Sequence, residues 1–375
     1  MAMTHRENCL AILNYEQPDR IPMIHFGFWT ETLQKWEAEG HLLPGEDTSA
    51  WDGTASNEAI ASRLGFHCGW GWGVSGRTGL WPSFQEQVLE VTSDGFEKVI
   101  NEEGVIIMRK PGVVSIPMEI GHTLVDRESY EKGFKERLQM QPDRLDFEKI
   151  DERYQLALNS GSPICIGCGS ALGYIRNIIG VEGLSYLYAD DEDLFTEIID
   201  TVADMNYQVT KALLERGYQV DHGHYWEDIC FKNGPLVIPS VFDEKCGHHY
   251  KRVSELLKSH GVNFISVDCD GLIDSLIPTW LDNGVNIMFP IEVGTWEASI
   301  APWREKYGRD LRGIGGMDKR VFAADYGAID KEIERLKPLI ALGGYIPCVD
   351  HRIPPDAIWE NVQYFCHQFD NTFNK

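Results

Sequence analysis

Residues 262–292 read VNFISVDCDGLIDSLIPTWLDNGVNIMFPIE, and this stretch holds one complete strand–helix–strand unit. The pattern predicts a strand over 262–267, a helix over 272–282 and a second strand over 286–291. Strands that alternate with helices in this way form a parallel sheet. The carboxyl ends of all strands in a parallel barrel emerge on one face, so the polar residues that follow them converge on one pocket.

The same pattern, a strand followed by a polar residue and then a helix, recurs through the second half of the chain. Six apolar runs end at a carboxylate, an imidazole or a thiol and then continue into a helix. These ends are Cys165 and Cys168, His222 to Asp228, Asp268-Cys269-Asp270, Glu292, Asp318, and Asp350-His351. One further strand near 21–26 and another inside 60–120 bring the number to eight. The sequence therefore predicts an α/β fold, a (β/α)8 TIM barrel, and an enzyme.

The domain organisation follows from the same pattern. Residues 1–375 are predicted to form one barrel domain, with an irregular insertion at about 30–150 over the barrel mouth. Short alternating runs inside the insertion predict antiparallel strands at 88–91, 96–100 and 105–108.

Composition restricts the partners and the location. The net charge is −24, from 34 Lys and Arg against 58 Asp and Glu, and it repels nucleic acids and anionic membranes. No apolar run approaches the roughly 20 residues of a membrane helix. The first residues show no secretory pattern, so we expect a cytoplasmic protein. Most of the nine Cys are then expected to be free thiols, and a homo-oligomer is compatible with this composition.

The stretch after residue 267 offers the first candidate site residues. Side chains alternate along an extended chain, so Asp268 and Asp270 should face one side and could chelate a divalent cation or orient a substrate hydroxyl. The alternative is that Asp270 caps the next helix while Asp268 accepts backbone N–H groups. His351 beside Asp350 fits a metal ligand or a general base. The alternative there is a helix-capping Asp350 with His351 stacked on its neighbours.

Other strand ends carry weaker signals. His222 and His224 have a spacing that metals use, with core imidazoles as the equal alternative. Glu227 and Asp228, at the end of the same strand, are better pocket candidates. Glu292 is a further candidate, because a carboxylate after an apolar strand is costly unless it is paired or functional. For Asp318 the structural alternative is a helix cap. For Cys165 and Cys168 the structural alternative is that they are thiols of the core.

Aromatic residues cluster near predicted loops and strand ends. They are Trp70, Trp72, Trp81, Tyr174, Tyr225, Trp226, Trp296 and Trp303. Aromatic side chains that line a pocket would suit a planar, partly apolar ligand. The alternative for each residue is that it fills the hydrophobic core.

Short motifs along most of the chain resemble one superfamily. They are Arg6-Glu7, Pro18-Asp19-Arg20-Ile21-Pro22, Gly173 to Gly180 with Glu182 and Gly183, Trp226-Glu227-Asp228, Gly315 to Arg320, and Gly343 to Pro355. In this order they resemble the uroporphyrinogen decarboxylase and corrinoid-dependent methyltransferase barrels. The decarboxylases resemble one another in N-terminal arginines that hold substrate carboxylates, and this chain has Ile24 to Trp29 there instead. Porphyrin decarboxylation is therefore disfavoured.

The resemblance to the methyltransferase branch implies a metal position. That branch supplies zinc with a His-x-Cys and a later Cys, which align here with Asp268, Asp270 and His351. Oxygen and imidazole in place of sulfur disfavour thiolate activation. The resemblance implies zinc or another divalent metal on these three residues, which would activate an ether or alcohol oxygen, or no metal at all.

The branch that the chain resembles best contains the first methyltransferases of anaerobic O-demethylation systems. The resemblance implies transfer of a methyl group from a small O-methyl, preferably methoxyaromatic, substrate to Co(I) cobalamin on a separate corrinoid protein. The implied catalytic residues are Asp268, Asp270, His351, Glu227 and Glu292. The implied substrate-binding residues are Tyr174, Arg176, Tyr225, Trp226, Trp296 and Tyr345. A decarboxylase of an aromatic or tetrapyrrole-related acid and a non-catalytic ligand or corrinoid binder are the alternatives.

Overall fold

Eight parallel segments close into a barrel in the computed structural model, which describes residues 2–49, 53–71, 73–111 and 117–375. In chain order the strands are Ile24–His25, Cys68–Gly69 with Gly73–Val74, Cys165–Gly169, His222–Trp226, Phe264–Asp268, Ile287–Ile291, Arg312–Met317 and Tyr345–Val349. The second segment is in two pieces, of which one pairs with the first strand and the other with the third. The eighth strand pairs with the first, so the ring is complete. The predicted TIM barrel is confirmed.

Helices surround the barrel. The longer ones are His5–Leu13, Thr30–Ala38, Ala55–Leu64, Phe147–Ser160, Gly173–Ile179, Val181–Asp190, Glu192–Glu215, His248–Ser259, Ile277–Asp282, Ile300–Tyr307, Tyr326–Ile340 and Trp359–Phe373. The shorter turns are Arg127–Ser129, Tyr130–Phe134, Glu136–Leu138, Pro142–Arg144, Pro239–Phe242, Asp243–Gly247, Val293–Trp296, Gly308–Asp310 and Lys319–Ala323. Among the described residues, no helix is both long and apolar enough to cross a membrane.

Proline and capping residues explain where predicted and observed helices differ. The helix predicted over 272–282 begins only at Ile277, because Pro278 is tolerated in a first turn but not in a helix interior. The helix predicted from 319 starts as a 3-10 turn and restarts after Asp325, whose side chain caps Tyr326–Ile340.

The barrel interior is apolar at its amino-terminal end and polar at the other. Helix His5–Leu13 closes the amino-terminal end, where Ile12 and Leu13 pack with Phe264 and Phe289 from inside the barrel. A second, larger core lies between the strands and the outer helices. All nine cysteines are buried and free, as expected from the composition. At the other end, the side chains of Asp228, Asp268 and Asp270 are only half-buried.

The insertion contains a four-stranded antiparallel sheet. Its strands are Gln87–Val91, Glu97–Ile100, Val105–Arg109 and Met118–His122, paired in chain order. The fourth strand was not predicted, because Gly121 and the polar residues beside it break the apolar alternation. The insertion meets the barrel on the carboxyl-end side, since the Leu80 N–H donates to the Tyr174 hydroxyl 2.6 Å away on the helix after the third strand.

Candidate active site

Three carboxylates meet where the fourth and fifth strands end. Asp228, Asp268 and Asp270 are half-buried, and one oxygen from each lies within 4.8 Å of the others. The Nε2 atom of His351, after the eighth strand, lies 3.2 Å from Oδ2 of Asp270. The structure thus brings Asp268, Asp270 and His351 together, although they are far apart in sequence, and adds Asp228 to them.

Strand register and one backbone hydrogen bond hold this acidic cluster. Asp268 is paired in register with Trp226 on one side and with Phe289 on the other. Oδ1 of Asp228 accepts the Asp270 N–H at 2.9 Å, which ties the loop after the fourth strand to the loop after the fifth. The helix after Asp270 begins only at Ile277, so Asp270 does not cap it.

Burial and like charge shift the protonation of Asp228. Burial raises its pKa from 3.8 to about 7, and the charge of Asp270 adds to the increase, while the Asp270 N–H and Arg176 oppose it. The Nη2 group of Arg176 donates to the Asp228 carbonyl at 2.7 Å. Asp228 therefore binds a proton close to neutral pH and can exchange it with a ligand.

This shift predicts a pH dependence of stability. The folded protein binds the Asp228 proton more tightly than the unfolded chain does, because the pKa is about 7 in the folded state and 3.8 in the unfolded state. The resulting stabilisation is complete below pH 3.8 and is lost as the pH rises through about 7. In chelator-treated protein, we expect the unfolding free energy relative to Asp228→Asn to fall by roughly 2 kcal/mol between about pH 5 and about pH 8. Urea unfolding of both proteins at the two pH values measures it, and a difference that does not change with pH would contradict the assignment.

Glu292 supports the cluster from the sixth strand. The side chain is buried, and its oxygens accept the Gly271 N–H at 2.6 Å and the Thr295 hydroxyl at 2.8 Å. Burial, followed by the charge of Asp270, raises the pKa of Glu292. Glu292 thus holds the loop that carries Asp270 and shares its electrostatic environment.

His351 is positioned by aromatic rings and by Asp270, not by Asp350. Its ring stacks on Trp29, with centroids 5.6 Å apart, and meets Phe26 edge-on at 5.2 Å. Asp350 instead accepts the backbone N–H groups of Gly294 at 2.8 Å and Lys319 at 3.2 Å. Sequence reasoning missed Phe26 and Trp29, although both follow the first barrel strand and the strand-end rule applies to them.

Glu227 lies apart from the acidic cluster and has a structural environment. It is fully buried, and its carboxylate accepts the N–H groups of Ala171 and Leu172 at 2.6 Å each. The Gly173 N–H, the Ser170 hydroxyl and the Tyr250 hydroxyl also donate to it. Glu227 therefore anchors the start of helix Gly173–Ile179, and the catalytic role predicted for it stays a prediction.

Three of the predicted substrate-binding residues belong to the core. The Tyr174 hydroxyl accepts the Leu80 N–H, and Tyr225 packs edge-on against Tyr250 with ring centroids 4.8 Å apart. Tyr345 starts its strand instead of ending it, and its hydroxyl donates to the Gly315 carbonyl at 2.7 Å. All three side chains are buried.

The other three remain candidates at the strand ends. Arg176 contacts the backbone of Asp228, and Trp226 is paired in register with Asp268. Trp296 lies on the short helix that follows Glu292, with its ring 6.0 Å from that of Trp303. Each of the three is half-buried. Trp72, another aromatic candidate, lies outside the described residues.

The histidine pair and the remaining strand ends are structural. His222 is buried and stacks on Trp70 at 4.0 Å, and burial holds its pKa well below the ordinary value. Nδ1 of His224 lies 2.8 Å from the Ser266 hydroxyl, and burial lowers the pKa of His224 to about 4. Both are neutral core imidazoles. Asp318 caps the turn after it by accepting the Arg320 N–H at 3.0 Å.

The donor atoms of the acidic cluster fit an oxygen-preferring divalent cation. Carboxylate oxygens are the ligands of Mg²⁺, Ca²⁺ and Mn²⁺, whereas thiolates select softer metals. Cys269 lies between Asp268 and Asp270. Its side chain is buried, and burial raises the pKa of its thiol well above the ordinary value. These residues could hold a cation through Asp228, Asp268 and Asp270, with Nε2 of His351 3.2 Å from Asp270.

Comparison with known proteins identifies the fold. No protein-family model and no curated protein matches the chain. A methyltransferase from Methanosarcina mazei is similar in structure, with a TM-score of 0.64 and 15% identity over 99% of each chain. A B12-independent methionine synthase from Shewanella sp. W3-18-1 aligns with a TM-score of 0.48 and 11% identity, over 94% of this chain and 98% of the other. The first likeness supports the barrel fold over the full length of the described chain.

Proposed function

We propose that the protein is a methyltransferase that removes the methyl group of a small methoxylated, aromatic substrate. The methyl acceptor is Co(I) cobalamin on a separate corrinoid protein. The observation that carries the proposal is the meeting of Asp228, Asp268, Asp270 and His351 beside the Trp29 ring. The similar barrel whose name is methyltransferase supports the class of reaction.

A methyl ether reacts slowly because its oxygen is a poor leaving group, and protonation of that oxygen lowers the barrier. Asp228 binds a proton near neutral pH and lies in the same cluster as Asp270. In the proposed reaction, Asp228 donates its proton to the departing oxygen while the methyl group leaves. His351 and Asp270, whose Nε2 and Oδ2 atoms are 3.2 Å apart, fix the position of that oxygen.

A divalent cation on the three aspartates would supply Lewis-acid stabilisation of the same oxygen. The cation and the Asp228 proton are alternatives, because a carboxylate must be ionised to act as a ligand. The aromatic residues at the strand ends suit a planar substrate. Trp29 and Phe26 flank His351 on one side, and Trp226 lies next to Asp268 in the sheet.

The test is methyl transfer to free Co(I) cobalamin. Purified protein is incubated anaerobically with reduced cobalamin and a panel of methoxyarenes and aliphatic methyl ethers, with and without Mg²⁺, Mn²⁺ or Zn²⁺. We expect the Co(I) absorbance to be replaced by that of methylcobalamin, together with a demethylated product. No transfer from the whole panel would contradict the proposal. Release of carbon dioxide without cobalamin would favour a decarboxylase, and tight binding without turnover would favour a carrier.

A further inference from the structure

Two adjacent histidines outside the barrel mouth face a carboxylate on a neighbouring helix. His248 and His249 begin helix His248–Ser259, and Asp200 lies on helix Glu192–Glu215. Nε2 of His249 is 2.8 Å from Oδ1 of Asp200, and the two imidazole centroids are 3.9 Å apart. One atom able to act as a ligand from each of the three residues lies within 4.8 Å of the others.

The two rings lie close together although they are consecutive in a helix. Consecutive side chains in a regular α-helix do not face each other. Here a π-helical turn, Asp243–Gly247, directly precedes the two histidines, and turns of this kind are frequent at functional sites. The His249 side chain is only 12% exposed, so its ring is held in place.

The surrounding charges favour a cation. Lys245 is paired with Glu192 at 2.6 Å and with Glu244 at 3.0 Å. Arg252 is paired with Asp204 at 2.9 Å. Each of these basic groups has an acidic partner of its own. Asp200 also borders a groove of about 460 Å³.

We propose that Asp200, His248 and His249 form a second metal site, which takes Zn²⁺ or another nitrogen-preferring divalent cation. Two imidazoles and one carboxylate with an open fourth position are a zinc donor set, whereas Mg²⁺ and Ca²⁺ prefer oxygen alone. A bound cation would join the two outer helices. Helix His248–Ser259 also carries Tyr250, whose hydroxyl holds Glu227 at 2.6 Å, so the site would stabilise a helix that supports the barrel mouth.

The experiment measures zinc binding to metal-free protein, by competition with a chromophoric chelator and by the shift of the thermal unfolding midpoint. We expect His248→Ala to weaken zinc binding at this site at least tenfold and to remove the increase in Tm. His260→Ala, at the exposed end of the same helix, is the matched control and should bind as the parent does. His248 is exposed, so its removal should not prevent folding.

The variant Asp270→Asn tests the second metal site independently of the barrel mouth. That variant should retain the zinc-induced increase in Tm, whatever its methyl-transfer activity, so failure of one proposal is distinguishable from failure of the other. Equal zinc affinity in the parent and in His248→Ala would overturn the second metal site. Stronger binding of Mg²⁺ than of Zn²⁺, abolished by the same substitution, would also overturn the proposed donor chemistry.

Discussion

Asp270→Asn is expected to lower kcat for methyl transfer by about 10²-fold, because it disturbs the position of the departing oxygen relative to the Asp228 proton. Asp270 links the proposed catalytic groups: its Oδ2 meets His351, and its N–H is bound to Asp228. Asparagine retains the size and the backbone N–H, so Asp228 stays anchored. Only the charge and one acceptor are lost, which is why we expect KM to change much less than kcat.

The pH profile gives this prediction a second readout. The charge of Asp270 contributes to the raised pKa of Asp228. Its removal should therefore shift the Asp228 pKa downward, so residual activity that depends on this proton should fall at a lower pH than in the parent. Steady-state kinetics with Co(I) cobalamin across pH measures both effects. Asp282→Asn, at an exposed position after the fifth strand, is the matched control, and parent-like kcat in Asp270→Asn would refute the role of Asp270.

The barrel and the convergence of its strand ends could be predicted because they depend on local periodicity. The sequence pattern predicts the eighth strand over 345–349, and the structure has Tyr345–Val349. The distance between Asp268 and His351 in the sequence did not matter, because each follows a strand of one closed sheet. A rule that uses only strand ends is therefore sufficient to assemble most of the cluster.

The same rule could not choose between Glu227 and Asp228. The two are neighbours at one strand end, and only Asp228 joins the acidic cluster. The buried carboxylate of Glu227 accepts hydrogen bonds from the N–H groups of Ala171, Leu172 and Gly173, which are more than 50 residues away in sequence. Nothing in the local pattern reveals those donors, because they exist only after the third and fourth units have packed.

Strand geometry weighs against two of the aromatic predictions. Tyr225 and Trp226 are adjacent, so in a strand they must point to opposite faces. Tyr225 packs on Tyr250 in the outer core, which leaves Trp226 for the barrel interior. Tyr345 is excluded likewise, since it begins its strand. Side-chain alternation and strand direction, both of which follow from the amino-acid sequence, are therefore enough to remove two of the predicted aromatic contacts.

The environment of Glu227 leads to the largest expected effect on stability. Glu227→Ala removes the acceptor of three backbone N–H groups and two hydroxyls in a fully buried position. Each unsatisfied buried donor costs about 1–3 kcal/mol, and we expect a total loss of about 3–5 kcal/mol, since water and local relaxation satisfy some of them.

Glu227→Gln separates the structural role from a catalytic one. Glutamine keeps the size and one acceptor oxygen, so it should lose less unfolding free energy than alanine, while Glu244→Ala, at an exposed position, should lose almost none. Urea unfolding at neutral pH measures the loss, and kcat is measured well below each midpoint. A structural anchor predicts a large fall in stability and a kcat within about tenfold of the parent, since general acid–base groups contribute at least 10²-fold. Parent-like stability with a thousandfold lower kcat in Glu227→Gln would return Glu227 to the catalytic set, because only a group that acts on the reacting atoms has that signature.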